Sequence, residues 1–195
     1  MRYPTANPKV IENAKQILEL EPIFLDTETT GTGPNDVVIE VGIVDVGGNV
    51  LYDSLINPGY PIPAESISVH GISDEMVANA PLWQEAWIGI QKVLEGHVIG
   101  IYNAEFDLRL LKQTQKHFSL DWTIDSKRAF CVMKMYAAFY GDWHTKRNSY
   151  RFHKLEDAGH MSRIPLPNSH HAADDAKLTA ALFTYMANYV PPTNQ

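Results

Sequence analysis

Apolar residues near the start of the chain recur at the spacing of an amphipathic helix within residues 8–20. They are Val10, Ile11, Ala14, Ile17 and Leu18. The spacing then changes to the compact apolar runs that are typical of strands, first at residues 23–25 and then at 37–46 and 50–56. Gly47-Gly48-Asn49 between the last two runs predicts a hairpin turn, because these residues tolerate positive φ.

The remainder of the chain alternates predicted helices with predicted strands. After a proline-rich loop at 57–64, Ser73 is expected to cap a short helix whose first turn is acidic. The longer helices are predicted at about 82–95, 104–117, 126–140 and 171–189, and the strands at 97–102 and 122–124. Strands followed by alternating helices and strands indicate an α/β or α+β domain with a mixed sheet.

The composition is that of an ordinary folded domain. The 195 residues are 45% apolar and 20% charged, which excludes a disordered tail, a collagen-like repeat and a disulfide miniprotein. No apolar stretch has the length of a membrane span or a secretory signal, and the single cysteine, Cys131, fits a reducing compartment. We expect one domain over residues 1–195, located in the cytoplasm, with no membrane partner.

The net charge of −7 argues against a protein that coats nucleic acid by bulk attraction. It does not exclude an enzyme that meets a phosphodiester through bound metal ions. The positions of the acidic residues in the sequence are therefore more informative about function than the net charge.

Two carboxylates follow the first predicted strand, in the segment Asp26-Thr27-Glu28-Thr29. Side chains alternate along a strand, so Asp26 and Glu28 share the face of Phe24, and Thr27 lies on the opposite face. Two neighbouring anions repel and lose solvation unless they are exposed or share a cation, and Mg²⁺ prefers such oxygen ligands. The alternatives are an exposed strand end and a metal site.

A third carboxylate lies near the start of the predicted helix that Asn103 would cap. Asp107, Leu111, Thr114 and Phe118 share one helical face, which predicts that Asp107 points into the core. An unpaired buried acid costs several kcal/mol unless it finds a partner, either a cation or the free amides at the helix start. Glu105 and Arg109 lie off this face.

The segment His170-His171-Ala172-Ala173-Asp174-Asp175 brings histidine and carboxylate together before the last helix. Histidine titrates near neutral pH and can serve as a base or a ligand. Helical spacing alone would pair His170 with Asp174 or His171 with Asp175. Three distant acidic segments thus favour the same partner, a hard cation, as in a two-metal phosphodiester hydrolase.

The three segments resemble the exonuclease motifs of the DEDDh family, which includes the proofreading epsilon subunit of bacterial DNA polymerase III, ribonuclease T and oligoribonuclease. Asp26-Thr-Glu28-Thr-Thr-Gly resembles the first motif, and the segment from Asn103 to Leu111 the second. His170-x-Ala-x-x-Asp175-Ala resembles the third. The similarity covers about residues 22–187, in the order of the family, with the helix at about 8–20 as an addition whose expected role is packing.

The resemblance implies an RNase H-like fold, a central mixed β-sheet flanked by helices. It implies two divalent cations, Mg²⁺ or Mn²⁺, and release of nucleoside 5′-monophosphates from 3′ ends of single-stranded nucleic acid. By position, the metal ligands are Asp26, Glu28, Asp107 and Asp175. His170 becomes the general base, and its five-residue separation from Asp175 makes sense if it lies on the loop before the helix.

The same comparison implies contacts to the terminal nucleotide from Thr29, His70, Asn103 and Phe106. A turn role for His70 and a core role for Phe106 are the alternatives. The proofreading subunit also carries a C-terminal segment that docks on its polymerase. Only Pro191–Gln195 follow Val190 here, so docking through such a tail is not expected. A polymerase partner is left open, as is the choice between a monomer and a homodimer.

A basic segment at 144–154 contains four of the 16 lysines and arginines, no acid, and aromatic residues, directly after Trp143. Cations interleaved with aromatic rings are typical of single-strand binding, and a solvated loop is the alternative.

The function predicted from the sequence is a metal-dependent 3′–5′ exonuclease with a slight preference for DNA. The alternatives are an RNA 3′-end-processing exoribonuclease, a metal-dependent endonuclease, and a catalytically silent nucleic-acid-binding module on the same fold. All four carboxylates and the histidine are present, which argues against the silent module.

Overall fold

The computed structural model describes residues 4–167 and 169–191 and contains a five-stranded mixed sheet. Its strands are β1 (Ile23–Thr29), β2 (Val38–Val44), β3 (Val50–Leu55), β4 (Ile99–Ile101) and β5 (Ala129–Cys131), in the order β3-β2-β1-β4-β5. The first three pair antiparallel, whereas β4 and β5 run parallel to β1. A small hairpin, β6 (Trp143–His144) and β7 (Ser149–Tyr150), stands apart from this sheet.

Helices cover both faces of the sheet. They are α1 (Pro8–Leu18), α2 (Ala64–His70), α3 (Asp74–Val77), α4 (Trp83–Leu94), α5 (Ala104–His117), α6 (Val132–Tyr140), α7 (Leu155–Met161) and α8 (Ala172–Ala187). None of the helices within the described ranges combines the length and apolar character that crossing a bilayer requires. The α/β class predicted from the sequence, a mixed sheet between helices, is confirmed.

The core has two main layers because β1 alternates its side chains between them. Phe24 packs with α6, α7 and α8 and with the partly buried face of α1, whereas Ile23 and Leu25 pack with α4 and α5. A smaller cluster lies under α2 and α3. Burial on both faces explains why β2 and the first three residues of β1 are almost entirely apolar.

Two sequence predictions about the central region are wrong. Residues 122–124 are not a strand, since Trp122 and Ile124 pack from a loop against the α4–α5 layer. The edge strand is Ala129–Cys131, which replaces the first part of the helix predicted at 126–140. Tertiary packing decides this choice, because Phe130 packs against both Phe24 and Phe183.

The remaining elements that the sequence predicted agree with the structure to within a few residues. Helix α7 at Leu155–Met161 and the β6–β7 hairpin were not predicted. Helix α2 at Ala64–His70 directly follows the proline-rich loop and was not predicted. Ser73 precedes α3 as expected, but its hydroxyl donates to the Glu75 carboxylate rather than accepting from the helix amides. Of the segment Pro191–Gln195, residues 192–195 lie outside the described ranges.

Candidate active site

One open cavity of about 610 Å³ collects the acidic residues from three distant parts of the chain. Its lining includes all five residues predicted as metal ligands or base: Asp26, Glu28, Asp107, His170 and Asp175. This space, called the active-site cavity below, lies where the end of β1 meets the N-terminal parts of α5 and α8. Two further lining residues, Asn103 and Phe106, belong to the predicted nucleotide contacts.

Strand β1 supplies two carboxylates on one face of the sheet. Asp26 lies opposite Gly42 of β2, and Glu28 lies opposite Glu40. The face they occupy is that of Phe24, which packs against Phe183 of α8. The alternation of the strand therefore aims both carboxylates toward the beginning of α8.

Asp107 reaches the same cavity from α5. It is buried, on the helical face that the sequence predicted, and Thr27 Oγ1 donates a hydrogen bond of 2.9 Å to its Oδ1. Thr27 lies on the face of β1 opposite Asp26, so the strand holds Asp107 with one face and presents its own carboxylates on the other. Glu105 and Arg109 are exposed, as expected.

His170 and Asp175 flank the start of α8. The helix begins at Ala172, so His170 lies on the preceding loop, exposed and with a left-handed φ of 55°. Asp175 is buried and accepts a hydrogen bond from the Ser169 amide. Ligand atoms of Glu28, His170 and Asp175 all lie within 4.8 Å of one another. The histidine and the aspartate of this cluster are therefore five residues apart in sequence, and not the four that helical spacing favours.

The two pairings that helical spacing alone would favour do not form the cluster. Asp174 instead accepts hydrogen bonds from Lys177 Nζ at 3.0 Å and Ser169 Oγ at 2.9 Å. His171 Nδ1 lies 3.4 Å from Glu40 Oε1. Asp174 and His171 thus contact other side chains and do not line the active-site cavity.

Burial and mutual repulsion raise the carboxyl pKa values in the cavity. Burial, followed by the charges of Asp107, Asp175, Glu28 and Glu40, holds the pKa of Asp26 well above its usual range. Burial, with Asp175 as the largest charged neighbour, raises the pKa of Glu28 to about 8. Burial raises the pKa of Asp107 to about 7 against the lowering effect of the Thr27 hydrogen bond.

These properties fit a divalent cation. Every influence resolved on the pKa values of Asp26 and Glu28 raises them, and the charged side chains among these influences are all carboxylates. A hard cation with oxygen ligands would compensate their negative charge. The carboxylate oxygens suit Mg²⁺ or Mn²⁺ by their chemistry.

Glu40 is a residue of the site that the sequence analysis missed. It is a buried carboxylate on β2, and its Oε2 accepts a hydrogen bond of 2.9 Å from the backbone amide of Ala172, at the start of α8. Beside it, Gly42 lets this start lie directly on the strand, because an added Cβ would overlap the backbone of Ala172 and Ala173. Together they fix where α8 begins, and with it His170 and Asp175.

The predicted nucleotide contacts divide into two groups. Asn103 is exposed in the active-site cavity, and Phe106 lines it while packing partly on the α4–α5 layer, with the Arg109 guanidinium 5.4 Å from its ring. Thr29 and His70 are not among the lining residues. Thr29 donates to the Gly31 carbonyl, and His70 Nδ1 accepts from the Ile72 amide, which is a turn role.

Comparison with known proteins places the chain in a family. A family model described as Exonuclease (RNase_T) matches residues 23–183, and the chain belongs to this exonuclease family. It is 33% identical over 186 residues to an uncharacterised exonuclease, CP81, of Escherichia phage 186, covering 93% of this chain and 95% of that protein. It is also 34% identical over 170 residues to a DNA polymerase III subunit epsilon-like protein of Rhodobacter capsulatus, covering 83% of this chain but only 23% of that protein.

Solved structures share the fold at low sequence identity. Exonuclease X in complex with 5′-overhanging duplex DNA matches with a TM-score of 0.60 and 24% identity, covering 85% of this chain and 90% of that one. The nuclease domain of 3′hExo, a DEDDh family member bound to rAMP, matches with a TM-score of 0.69 and 16% identity, over 85% and 91% of the two chains. The RNase H-like fold is confirmed.

Proposed function

We propose that this chain is a DEDDh-type 3′–5′ exonuclease that removes nucleoside 5′-monophosphates from single-stranded 3′ ends with the help of two divalent cations. The observation that carries the proposal is the convergence of four carboxylates and one histidine in a single open cavity, in a chain that belongs to an exonuclease family. Mg²⁺ and Mn²⁺ are the proposed ions.

The four carboxylates would hold the cations, and the histidine would move a proton. Asp26, Glu28, Asp107 and Asp175 are the proposed ligands. Bound divalent ions would lower the pKa of an attacking water and stabilise charge on the leaving oxygen. A ring nitrogen of His170 accepts the proton of that water, and its exposed position on a loop gives the ring room to turn toward the scissile phosphate.

The terminal nucleotide would lie between the carboxylates and the wall formed by Asn103 and Phe106. The Phe106 ring offers a surface for a base, and the Asn103 side chain can donate to or accept from the sugar and phosphate. Contacts from Thr29 and His70 remain predictions, since both are engaged in local turns.

DNA is the slightly preferred substrate in this proposal. The support is similarity to polymerase III relatives, while RNA 3′-end processing stays the alternative because recognition of the 2′-hydroxyl depends on local pocket shape. A polymerase partner, a cytoplasmic location and a monomeric or homodimeric state likewise remain predictions.

The proposal is tested with 5′-labelled single-stranded DNA and RNA of matched sequence, incubated with Mg²⁺ or Mn²⁺. A ladder that shortens from the 3′ end and disappears with EDTA would support it, and the faster ladder identifies the sugar preference. Circular single strands should stay intact, because they have no end. Cleavage of circles would replace the proposal by an endonuclease, and a folded protein that cleaves no substrate would favour a silent binding module.

A further inference from the structure

The basic segment that follows α6 forms the small hairpin β6–β7 beside the active-site cavity. Trp143 pairs with Tyr150 across the hairpin, and their rings meet edge to face at 5.0 Å between centroids. Trp143 is 46% exposed and Phe152, just after the hairpin, is 58% exposed. Exposed aromatic rings beside basic side chains offer surfaces on which unpaired bases can stack.

A second cavity, of about 310 Å³ and called the hairpin cavity below, opens along this segment. Its lining contains two guanidinium groups and no carboxylate: His144, Arg147, Ser149, Tyr150, Arg151 and Phe152. Phe152 lines both this space and the active-site cavity, so the two adjoin at that ring. Lys154, two residues further, also lines the active-site cavity.

The segment between the two cavities is fixed to the body of the protein. Tyr102 Oη, at the end of β4, donates a hydrogen bond of 2.8 Å to the His153 carbonyl. The ring of His153 also packs edge to face against Tyr136 and Tyr140 of α6. The path from the hairpin cavity to the carboxylates is therefore held in place by core residues.

The cations of the hairpin cavity have little internal compensation. Arg151 Nε lies 3.5 Å from Asp142, but both side chains are partly exposed, and such a surface pair is weak. Arg147 is exposed and forms no salt bridge within the described ranges. On a chain with a net charge of −7, this positive surface is local and continuous with the proposed site of cleavage.

We propose that the hairpin cavity binds the single strand upstream of the scissile bond, with Arg147 and Arg151 on backbone phosphates and a base stacked on Phe152. The inference rests on the proposed function and adds a binding site to it. A single strand is the occupant because phosphates complement the guanidinium groups and because only unpaired bases can stack on exposed rings. The strand then passes Phe152 and presents its 3′ end to the carboxylates.

The first experiment measures kcat/KM against oligonucleotide length with the Arg147→Ala protein. In the wild type, kcat/KM should rise as the substrate grows from a dinucleotide to about six nucleotides. Arg147→Ala should leave a chromogenic aryl ester of thymidine 5′-monophosphate unaffected and lower kcat/KM on long strands roughly five- to tenfold, as loss of a phosphate contact does. Arg147→Lys should recover most of this loss.

The second experiment measures binding of a labelled oligonucleotide in EDTA, across a salt series. Arg147→Ala should lower the slope of log affinity against log salt by about one, whereas the matched removal of exposed cations elsewhere, Lys9→Ala or Lys92→Ala, should not. Phe152→Leu should weaken binding roughly fivefold or more through lost stacking, with little change in the salt slope.

The outcomes separate this proposal from the proposed function. Equal loss on the small ester and on long strands, or an unchanged salt slope, would overturn the hairpin-cavity site while leaving the exonuclease intact. A wild type that cleaves no substrate would end the exonuclease proposal. The binding series would still decide whether a single strand occupies the hairpin cavity.

Discussion

The active-site cavity is lined by buried carboxylates, whereas the hairpin cavity is lined by solvent-exposed cations. The carboxylates of the first lie on β1, α5 and α8, next to the core, where burial and repulsion raise their pKa values. The cations of the second, Arg147 and Arg151, lie in the turn between two short strands and directly after the second strand, and both are exposed to solvent. Buried like charges require a partner, whereas exposed cations are stable without one.

Each of the two sites is therefore recognised by a different kind of feature. The acidic site shows itself through an energetic conflict in the folded chain, because four carboxylates converge with little internal compensation. The basic site shows no conflict, and only its continuity with the acidic site and its exposed rings indicate a role. Substitutions in the two cavities should therefore differ in effect, and the largest effects are expected at the carboxylates.

Removing one carboxylate from the active-site cavity should have the largest effect. Asp26→Asn should lower the rate of oligonucleotide hydrolysis by roughly 10³-fold, since the loss of a charged ligand removes several kcal/mol of transition-state stabilisation. Asp121→Asn, an exposed acid in a loop, is the matched control and should behave as the wild type. Equal rates for the two variants would remove Asp26 from the proposed metal site.

The contact between β2 and α8 should come next in magnitude. Gly42→Ala would place a methyl group in the backbone of Ala172 and Ala173 and should cost about 2 to 3 kcal/mol of unfolding free energy. Gly47→Ala is the control, because its added Cβ lies in an exposed turn and meets only side-chain atoms of Asp45 and Asn49, at 3.3 Å.

Urea denaturation of the two glycine variants measures the difference. If Gly42→Ala is as stable as Gly47→Ala, the start of α8 can shift on β2 without penalty. The position of His170 would then not depend on this contact.

Much of the acidic site could be predicted from local spacing. The two-residue period of β1 places Asp26 and Glu28 on one face, and the helical period places Asp107 inward, as the structure shows. The five-residue separation of His170 and Asp175 could not come from helical spacing. It depends on a left-handed residue before α8, and the family resemblance was needed to choose it.

The parts that were missed depend on contacts far apart in sequence. The local sequence shows only that Glu40 is a charged residue within the apolar strand β2. This signal does not indicate its role, because its partner Ala172 is 132 residues away. Strand β5 was missed because its three residues become a strand only by pairing with β4, whose own pattern does not reveal the neighbour.

Without metal, the active-site cavity should make stability depend on pH. The pKa of Glu28 is raised from its usual 4.5 to about 8, so the folded state favours the protonated carboxyl group. The contribution of Glu28 to the free energy of unfolding is therefore fully present below about pH 4.5 and is lost as pH rises through 8. In EDTA, Glu28→Gln should therefore raise Tm relative to the wild type by about 2 to 4 °C at pH 8.5 and by much less at pH 5.

The same melting series distinguishes a metal site from a general charge effect. Addition of Mn²⁺ should stabilise the wild type more than Glu28→Gln and so reduce or reverse the difference at pH 8.5. Glu95→Gln, an exposed glutamate after α4, serves as the control and should show no pH-dependent difference. A Glu28→Gln effect that is the same at both pH values would contradict repulsion as its cause.

The smallest expected effect concerns the turn of the hairpin. Asn148 adopts a left-handed conformation, with φ 49° and ψ 44°, and its amide donates to the Thr145 carbonyl at the tip of the hairpin. Asn148→Val should disfavour this turn, because a β-branched side chain rarely adopts positive φ. Asn148→Gly is the matched control, since glycine adopts it freely.

The hairpin forms a separate two-stranded sheet, so its opening should leave the central sheet intact. Asn148→Val should therefore change Tm by no more than about 2 °C, yet weaken oligonucleotide binding in EDTA severalfold, with hydrolysis of the small ester unchanged. Wild-type affinity in Asn148→Val would show that the strand does not need the hairpin in its folded form. A large fall in Tm would instead show that the hairpin belongs to the cooperative core, and the contrast between the two cavities would then be wrong.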